Sequence, residues 1–328
     1  MPCKAPEFWD RDGLLARLLA PAGWAHGAAG ALRRSRARPW HAPVPVVCVG
    51  NLVAGGAGKT PVTIDLAGRL ASAGTVPHIL TRGYGGSAAG PLRVDPARHS
   101  CREVGDEALL LAGAASAWVA RDRAAGARAA IAAGARSLLL DDGFQHLSLA
   151  QDLKLLVVDG AYGFGNGRVI PAGPLREPVD GGIARADAVV VMGEDRAGIA
   201  ALAAGKPLLR ARLAPRAGAP ELRGARVLAF SGIGRPEKFF GFLEALGAVV
   251  VARRSFADHH VFTESELRTL IGDAERAGAR CISTEKDWVR IPETLRGTIE
   301  TLPIEVSWED AGAIAAMLAR LVERHPHG

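Results

Sequence analysis

Residues 44–61 read VPVVCVGNLVAGGAGKTP, and this stretch decides the fold class. The apolar run Val44–Val49 predicts a buried strand, and Thr60–Ala73 is predicted to be the helix after the glycine-rich loop. Glycines let backbone N–H groups approach phosphate oxygens closely, a lysine reaches the outer phosphates, and a hydroxyl can bind Mg²⁺. The pattern therefore predicts a phosphate-binding P-loop with the residues Gly55, Gly56, Ala57, Gly58, Lys59 and Thr60.

One residue departs from the strict form of this motif, because Val53 stands where the strict pattern has glycine. The alternative is a glycine-rich turn that precedes an accidental Lys-Thr pair. The position of the loop between an apolar strand and a helical pattern favours the P-loop.

Further short apolar runs, bounded by polar or glycine residues, predict two series of buried parallel strands. The first series comprises Val76–Leu80, Ser137–Leu140, Leu153–Val158 and Ala188–Met192. The second comprises Val227–Phe230, Ala248–Val251, Arg280–Ser283 and Ile304–Val306, with helices over Phe239–Leu246 and Glu264–Ala277.

This order predicts an α/β protein in which a P-loop-type parallel sheet flanked by helices is followed by a second, smaller α/β domain. We assign residues 42–210 to the P-loop domain, 211–223 to a linker rich in Pro, Ala and Arg, and 224–328 to the smaller domain. A chain of 328 residues with 48% hydrophobic and 23% charged residues suits two globular domains and excludes a disordered chain.

Residues 1–41 differ in composition and predict a separate, membrane-associating segment. They hold seven of the 40 cations and three of the six tryptophans. The apolar residues near helical spacing are Phe8, Trp9, Leu14, Leu15, Leu18 and Leu19, and the basic cluster is Arg33, Arg34, Arg36 and Arg38. We expect Pro21 to interrupt the helical pattern. The prediction is an amphipathic interfacial element on an anionic leaflet, and the alternative is a helix packed on its own domain before a solvated arginine turn.

Charge and cysteine placement exclude several classes of protein. A basic leader on a near-neutral body is not the pattern of a nucleic-acid-binding protein, whose cations would line the folded domain. The four cysteines are scattered, which indicates a reduced compartment and no zinc knuckle. No pattern indicates an obligate protein partner.

The residues Ser137-Leu-Leu-Leu-Asp141-Asp142-Gly143 predict the second part of a nucleotide site, since an apolar strand here delivers two acids at its carboxyl end. Side chains alternate along a strand, so one acid is expected at Mg²⁺ and the other in a separate role. The sequence leaves open which acid binds the metal, and a pair of turn-forming aspartates is the alternative.

Two further loops carry residues suited to acid–base chemistry. Asp106 precedes a helical pattern and is either a reactive carboxylate or a helix N-cap. Asp258-His259-His260 is the only adjacent histidine pair, and acid–base work or an ordinary loop suits it better than metal binding. Thr284-Glu285-Lys286-Asp287 places its lysine one position too late for a GTPase base-recognition motif, and Ala54 replaces the signature lysine of partition-type ATPases.

Eight motifs in order resemble those of the tetraacyldisaccharide 4′-kinase (lipid A 4′-kinase) family, from about residue 7 to about residue 310. They are Gly50-Asn51, Gly55–Pro61, Thr81–Gly85, Gly105–Glu107, Asp141–His146, Pro171–Glu177, Asp258–His260 and Thr284–Asp287. The resemblance implies transfer of a phosphoryl group from ATP to an acylated glucosamine disaccharide 1-phosphate. It also implies a cleft between two α/β domains and peripheral attachment to the cytoplasmic face of the bacterial inner membrane.

The resemblance further implies roles for individual residues. Lys59 would neutralise the β/γ phosphates, Asp106 would accept the sugar proton, and His259 would be the partner of Asp106. The remaining implied residues are Arg176, Arg123 and Asp141 in catalysis, Gln145 with the P-loop in ATP binding, and Thr60, Asp142 and Glu107 at Mg²⁺. A P-loop NTPase switch or metal-insertion chaperone, and a kinase of a small metabolite, are the alternatives.

Overall fold

The computed structural model describes residues 6–325 and has two β-sheets with helices on both sides of each. The strands are β1 (Val46–Gly50), β2 (Pro77–Thr81), β3 (Leu92–Arg93), β4 (Ser116–Val119), β5 (Ser137–Asp141), β6 (Leu153–Asp159), β7 (Ala188–Met192), β8 (Leu208–Pro215), β9 (Arg226–Ser231), β10 (Val249–Ser255), β11 (Arg280–Thr284), β12 (Glu300–Leu302) and β13 (Ile304–Trp308). The helices are α1 (Leu14–Ser35), α2 (Lys59–Ser72), α3 (Cys101–Val104), α4 (Asp106–Ala112), α5 (Arg123–Ala132), α6 (Val179–Arg185), α7 (Ile199–Leu202), α8 (Pro236–Ala245), α9 (Glu264–Arg276), α10 (Glu285–Trp288) and α11 (Ala311–Glu323). Short 3-10 turns lie at Glu7–Trp9 and Glu293–Thr298.

The larger sheet has nine strands in the order β13-β8-β7-β6-β1-β5-β2-β4-β3, and all its pairings are parallel except those of the two edge strands. The P-loop strand β1 lies between β5 and β6, with Val47 opposite Leu139. All five of its residues are buried because helices cover both faces. Residues of β1 alternate between two apolar cores, Val47 and Val49 in one and Val46 and Cys48 in the other.

The smaller sheet has four parallel strands in the order β10-β9-β11-β12. Phe240 and Leu243 of α8 pack on one of its faces, and Leu267 and Leu270 of α9 pack on the other. The predicted fold class, a P-loop-type parallel sheet with a second, smaller α/β unit, is confirmed.

The prediction that residues 224–328 form one smaller domain is wrong for the C-terminal part. Strand β13 belongs to the larger sheet, and α11 packs against α2 of the larger unit. Strand β13 pairs antiparallel with β8, and Trp308 donates from Nε1 to Asp65 of α2 at 2.8 Å. Leu318 of α11 shares the core of Leu66. The apolar stripe of α11 needs a surface to cover, and it covers α2 at the edge of the sheet. The predicted linker 211–223 is also partly strand, since β8 extends to Pro215.

Helix α1 is continuous through Pro21, so the predicted interruption is wrong. Pro21 is exposed, and the carbonyl group that its missing N–H leaves free can be solvated. The buried face consists of the small residues Ala16, Ala20, Gly23 and Gly27. A Cβ atom at Gly23 would lie 2.6 Å from the carbonyl oxygen of Val169, so only glycine allows this close packing.

The sides of α1 that face away from the protein carry large, exposed apolar side chains. These side chains include Leu14 at 76%, Leu18 at 68% and Trp24 at 71% exposure. Small residues therefore face the protein and large apolar residues face outward, the reverse of an ordinary surface helix. Within residues 6–325, no helix combines the length and the apolar character needed to cross a bilayer.

Candidate active site

The P-loop has the backbone geometry that phosphate binding requires. Gly55 has φ +142° and Gly58, the N-cap of α2, has φ +86°, conformations that residues with a Cβ rarely adopt. Lys59 is the first residue of α2, so the loop ends at the positive end of a helix dipole. The segment 171–176 supports the loop, because Pro174 accepts from the Ala54 N–H at 2.8 Å.

Asp141 and Asp142 have different partners, because the strand ends at Asp141 and strand alternation no longer applies to Asp142. Asp141 is the last residue of β5, is buried, and accepts a hydrogen bond from Thr63 Oγ1 at 3.1 Å. Asp142 follows with φ 55°, which turns its carboxylate toward Lys59 Nζ at 3.5 Å. Asp142 lines the cleft beside the P-loop. These positions make Asp142 the acid that a bound nucleotide would meet.

The pKa values of the two acids move in opposite directions. Burial, together with the charges of Glu107 and Asp142, raises the pKa of Asp141 well above its usual range. Burial also opposes the charge of Asp142, but Lys59 and Arg176 outweigh it and lower the pKa of Asp142 to about 2. Asp142 is therefore ionised at neutral pH, and excess negative charge collects around Asp141.

Arg176 and Gln145 form the next layer around Asp142. Arg176 donates to Asp142 Oδ1 at 2.7 Å and to Gln145 Oε1 at 3.2 Å. Gln145 donates in turn to Asn51 O and to Glu177 Oε1, each at 2.9 Å. Both ends of the Gln145 amide thus contact the protein and bridge two loops, and Gln145 also lines the cleft, so its contact with ATP stays a prediction.

Glu177 is a buried carboxylate that the sequence analysis missed. It is 1% exposed, and its oxygens lie 3.3 Å from Arg34 of α1 and 2.5 Å from Arg185 of α6. Arg34 is therefore held by the protein, although the sequence analysis counted it in the cluster that faces the membrane. Glu177 connects α1 through Gln145 to Arg176 beside the P-loop.

Arg123 begins α5 at the floor of the cleft and is 1% exposed. Its guanidinium donates to Ala120 O, and its Nε has no acceptor among residues 6–325. Burial lowers the pKa of Arg123 to about 10, so the side chain remains a cation at neutral pH. A buried cation with an unsatisfied donor suits an anionic ligand.

Asp106 and His259 meet across the two units of the protein. His259 Nδ1 lies 3.0 Å and 2.9 Å from the two carboxylate oxygens of Asp106. Asp106 is 3% exposed and is the first residue of α4, one position after the N-cap Gly105. The other histidine of the pair, His260, contacts Glu266 at 3.2 Å instead. The structure thus brings together the two residues that the sequence analysis paired.

The charge on Asp106 is stabilised by its neighbours. Burial alone would raise the pKa of Asp106, but the hydrogen bond from His259 and the charges of Lys286 and Arg290 outweigh burial and lower it. The carboxylate is therefore ionised at neutral pH and able to accept a proton.

Glu107, an expected magnesium ligand, forms an ion pair with Lys286 at 3.2 Å. Lys286 Nζ also lies 3.6 Å from Asp258. Burial disfavours the charge of Lys286, but Glu107, Asp106 and Asp258 together raise its pKa. Lys286 belongs to the family motif Thr284–Asp287, but its sequence alone suggests no role for the side chain. Its position directly after β11, at the carboxyl end of a parallel strand, was the signal for a site residue.

One cleft of about 3320 Å³ joins these groups. Its lining includes Lys59, Thr60, Asp142 and Arg176 on the larger unit, and His259 on the smaller one. Among residues 6–325, no group of three or more His, Cys, Asp and Glu residues has the arrangement of a metal site. The cleft thus has the P-loop on one side and His259, the partner of Asp106, on the other.

A glycine-rich loop between a parallel strand and a helix, with an acid at the end of the neighbouring strand, defines the class of P-loop nucleotide-binding proteins, and the carboxylate–histidine pair is suited to accept a proton from a second substrate. Comparison with known proteins gives the particular family. The family model "Tetraacyldisaccharide-1-P 4′-kinase" matches residues 15–323, and the chain belongs to this family.

Individual relatives are similar over nearly their whole length. The chain is 59% identical to a tetraacyldisaccharide 4′-kinase of Rhodospirillum centenum, with 99% of each chain covered. It is 52% identical to that of Paramagnetospirillum magneticum, with 97% and 98% covered. A crystal structure of LpxK from Aquifex aeolicus in complex with ATP matches with a TM-score of 0.75 and 28% identity, covering 94% of this chain and all of that one.

Proposed function

We propose that the protein transfers the γ-phosphate of ATP to the 4′-hydroxyl of a tetraacylated glucosamine disaccharide 1-phosphate, a step of lipid A synthesis. The observation that carries this proposal is the Asp106–His259 pair at 2.9 Å, whose histidine lines the same cleft as Lys59 of the P-loop. An NTPase that only switches conformation has no need of a proton acceptor beside its phosphate site. The family membership supports the same acceptor.

In the proposed reaction, the 4′-oxygen attacks the γ-phosphorus, the bond to the β-phosphate oxygen breaks, and ADP leaves. The hydroxyl proton passes to Asp106, which is ionised at neutral pH. An aspartate alone is a weak base, and His259 orients it or shares the proton. Lys59, Arg176 and Arg123 supply positive charge around the phosphoryl group, and such charge is the main means of catalysing phosphoryl transfer.

The donor set beside the P-loop fits Mg²⁺. Mg²⁺ prefers oxygen ligands and keeps several waters and substrate phosphates, so it needs few protein ligands. Thr60 and Asp142 line the cleft together and would hold the ion. Asp141, buried beside Asp142, adds a further carboxylate whose charge a divalent cation would offset. Glu107 lines the same cleft, with its Oε1 paired to Lys286, and is the third residue that we propose at the ion. The ion would supply charge neutralisation between the β- and γ-phosphates.

We also propose that α1 attaches the protein to a membrane, on the cytoplasmic face of the bacterial inner membrane. The exposed face of α1 carries Leu14, Leu15, Leu18, Trp24 and Leu32. Such a face loses contact with water when it enters the headgroup region, and the exposed arginines that follow favour an anionic leaflet. An acceptor with four acyl chains lies in that leaflet, so attachment confines enzyme and acceptor to the same surface.

The test is to incubate the purified protein with Mg·ATP and the disaccharide 1-phosphate in detergent micelles and to measure the 1,4′-bisphosphate. We expect product that depends on both substrates. ATP hydrolysis without phosphorylated lipid would contradict the proposal and favour an NTPase switch.

A further inference from the structure

Arg290 is a buried cation beside the Asp106–His259 pair, and the arrangement of its donors points to a role beyond its charge. It lies two residues after α10, in the smaller unit, and its side chain is 2% exposed. One terminal nitrogen donates to His260 O at 3.0 Å, and the other donates to Gly232 O at 3.1 Å and to Asp287. The Nε–H has no acceptor among the described residues and lies 3.7 Å from Asp106 Oδ2.

The guanidinium is rigidly anchored within the smaller unit. Its partner Asp287 is fully buried and accepts from Ser231 Oγ at 2.8 Å, the Gly232 N–H at 3.0 Å and Thr284 Oγ1 at 2.7 Å. These donors come from the carboxyl ends of β9 and β11. The planar guanidinium is thus fixed on one side, and its remaining donor faces the larger unit.

Arg290 also holds the loop that carries His259. His259 has φ 59°, a conformation that is rare for a residue with a side chain and persists only where the surroundings hold it. The carbonyl of Gly232 accepts both from Arg290 and from the His259 N–H, the latter at 3.1 Å. Arg290 thus bonds directly to the residue after the strained histidine, His260, and shares with the His259 N–H the acceptor Gly232 O.

We propose that Arg290 is the positioning residue of the proton-accepting pair, an inference that rests on the proposed kinase function. It holds the backbone of the loop that carries His259, and its Nε lies beside the Asp106 carboxylate, 3.7 Å from Oδ2. It thereby holds two residues from different units in the geometry that proton transfer needs.

The kinetic test is a double-mutant cycle with Asp106→Asn. Arg290→Met is expected to lower kcat about 30-fold with the KM for ATP changed less than about twofold, because ATP is bound by the other side of the cleft. Arg290→Lys, which keeps the charge but not the planar set of donors, is expected to lose about 10-fold. In the Asp106→Asn background, Arg290→Met is expected to cost less than about threefold, since its effect passes through Asp106. Equal losses in both backgrounds would overturn the proposal.

A matched control is Arg296→Met. Arg296 belongs to the same unit, stacks 4.3 Å over the Trp288 ring and donates to Ile291 O at 3.0 Å, but has no contact with the acid–histidine pair. Its loss should leave kcat unchanged. If Arg290→Met fails to fold, the cycle is run with Arg290→Lys.

A spectroscopic test separates this inference from the proposed function. In ¹⁵N-histidine NMR spectra, Arg290→Lys is expected to shift the Nδ1 signal of His259 and to leave that of His78 unchanged, since His78 is buried against Trp118 in the larger unit. An unchanged His259 signal would overturn the positioning role. A wild-type protein that makes no bisphosphate but shows the His259 shift would contradict the kinase function alone.

Discussion

The phosphate side and the acceptor side of the cleft are assembled differently. Lys59, Asp142 and Arg176 all belong to the larger unit, and the same parallel sheet and one supporting loop hold them. Asp106 and His259 are 153 residues apart in the chain and lie on different units. The first site forms when one sheet folds, whereas the second also requires the two units to dock.

Contacts outside the active site contribute to this docking. Arg235 and Lys238 of the smaller unit contact the buried Asp159 at the end of β6, and Arg235 stacks over Tyr162 at 3.6 Å. We therefore expect substitutions on the phosphate side to lower kcat by removing charge. Substitutions on the acceptor side are expected to have coupled effects on kcat, because the residues belong to two different units.

The largest expected effect is on the phosphate side. Lys59→Ala should lower kcat on the order of 10³-fold, because it removes a cation that stabilises the transferring phosphoryl group. The fold should survive, since Arg176 still pairs with Asp142. Turnover with radiolabelled ATP and a thermal melt test this. Lys154→Ala, a lysine of β6 outside the cleft lining, is the control. Turnover within threefold of wild type would show that the loop is not the phosphate site.

The next effect tests the coupling across the units. Asp106→Asn and His259→Ala should each lower kcat on the order of 10²-fold, with far less change in ATP binding. The double variant should be little worse than the poorer single one, because residues that act as one unit are not additive. Isothermal titration with ATP and single-turnover kinetics separate the two quantities. Fully multiplicative losses would mean that the two residues act independently.

The same contrast explains how much the sequence could predict. Strands β1 and β5 are apolar runs followed by a glycine loop and two acids, so the phosphate side follows from local patterns. The meeting of Asp106 with His259 was accessible only through the family resemblance, because no spacing rule links residues so far apart. The sequence analysis assigned β13 to the smaller domain, because the sequence of a short apolar strand does not indicate which strand it pairs with.

The prediction for Pro21 and the absence of any prediction for Glu177 and Arg290 also have physical causes. Helix α1 continues through Pro21 because this residue is exposed and because packing of the small-residue face stabilises the helix. Helix propensity, which is all that the sequence gives at this position, contains neither piece of information. Glu177 and Arg290 are charged residues whose contribution to the site depends on their burial. A single sequence does not show which charged residues are buried. Their partners are set by tertiary contacts.

A smaller effect concerns the link between α1 and the phosphate side. Glu177→Gln should destabilise the protein by about 3 kcal/mol at pH 7, because it removes the buried carboxylate that pairs with the partly buried Arg34 and Arg185. Burial opposes the charge of Glu177, but Arg185 and Gln145 outweigh it and lower its pKa. The stabilisation is therefore fully present above the unfolded pKa of about 4.3 and is lost as pH falls through the lower folded pKa.

Urea unfolding of wild type and Glu177→Gln from pH 7 to pH 3 measures this difference. The two free energies of unfolding should converge at the acid end. Glu194→Gln is the matched control, since its pair with Arg196 is exposed and should contribute at most about 0.5 kcal/mol. A difference between Glu177→Gln and wild type that stays constant across this range would show that the carboxylate charge is not the cause.

The smallest expected effect is on membrane binding by the outer face of α1. The apolar and the basic residues of this face contribute separately to the free energy of binding. Arg36 and Arg38 are exposed, whereas Arg34 is bound to Glu177. Replacing Arg36 and Arg38 by serine should weaken binding to anionic vesicles by about 2 kcal/mol at low salt, about 1 kcal/mol per charge, and less as salt screens the interaction.

Vesicle sedimentation and kinetics on lipid acceptor measure the outcome. The apparent KM for the lipid should rise while that for ATP stays unchanged. Replacing Leu14 and Leu18 by serine should weaken vesicle binding at every salt concentration, because loss of water contact by apolar groups is insensitive to salt. Arg34→Ser should instead lower stability, since it breaks the pair with Glu177. Wild-type vesicle binding by the Arg36/Arg38 variant would mean that these arginines are a solvated turn and that only the apolar face of α1 contacts the bilayer.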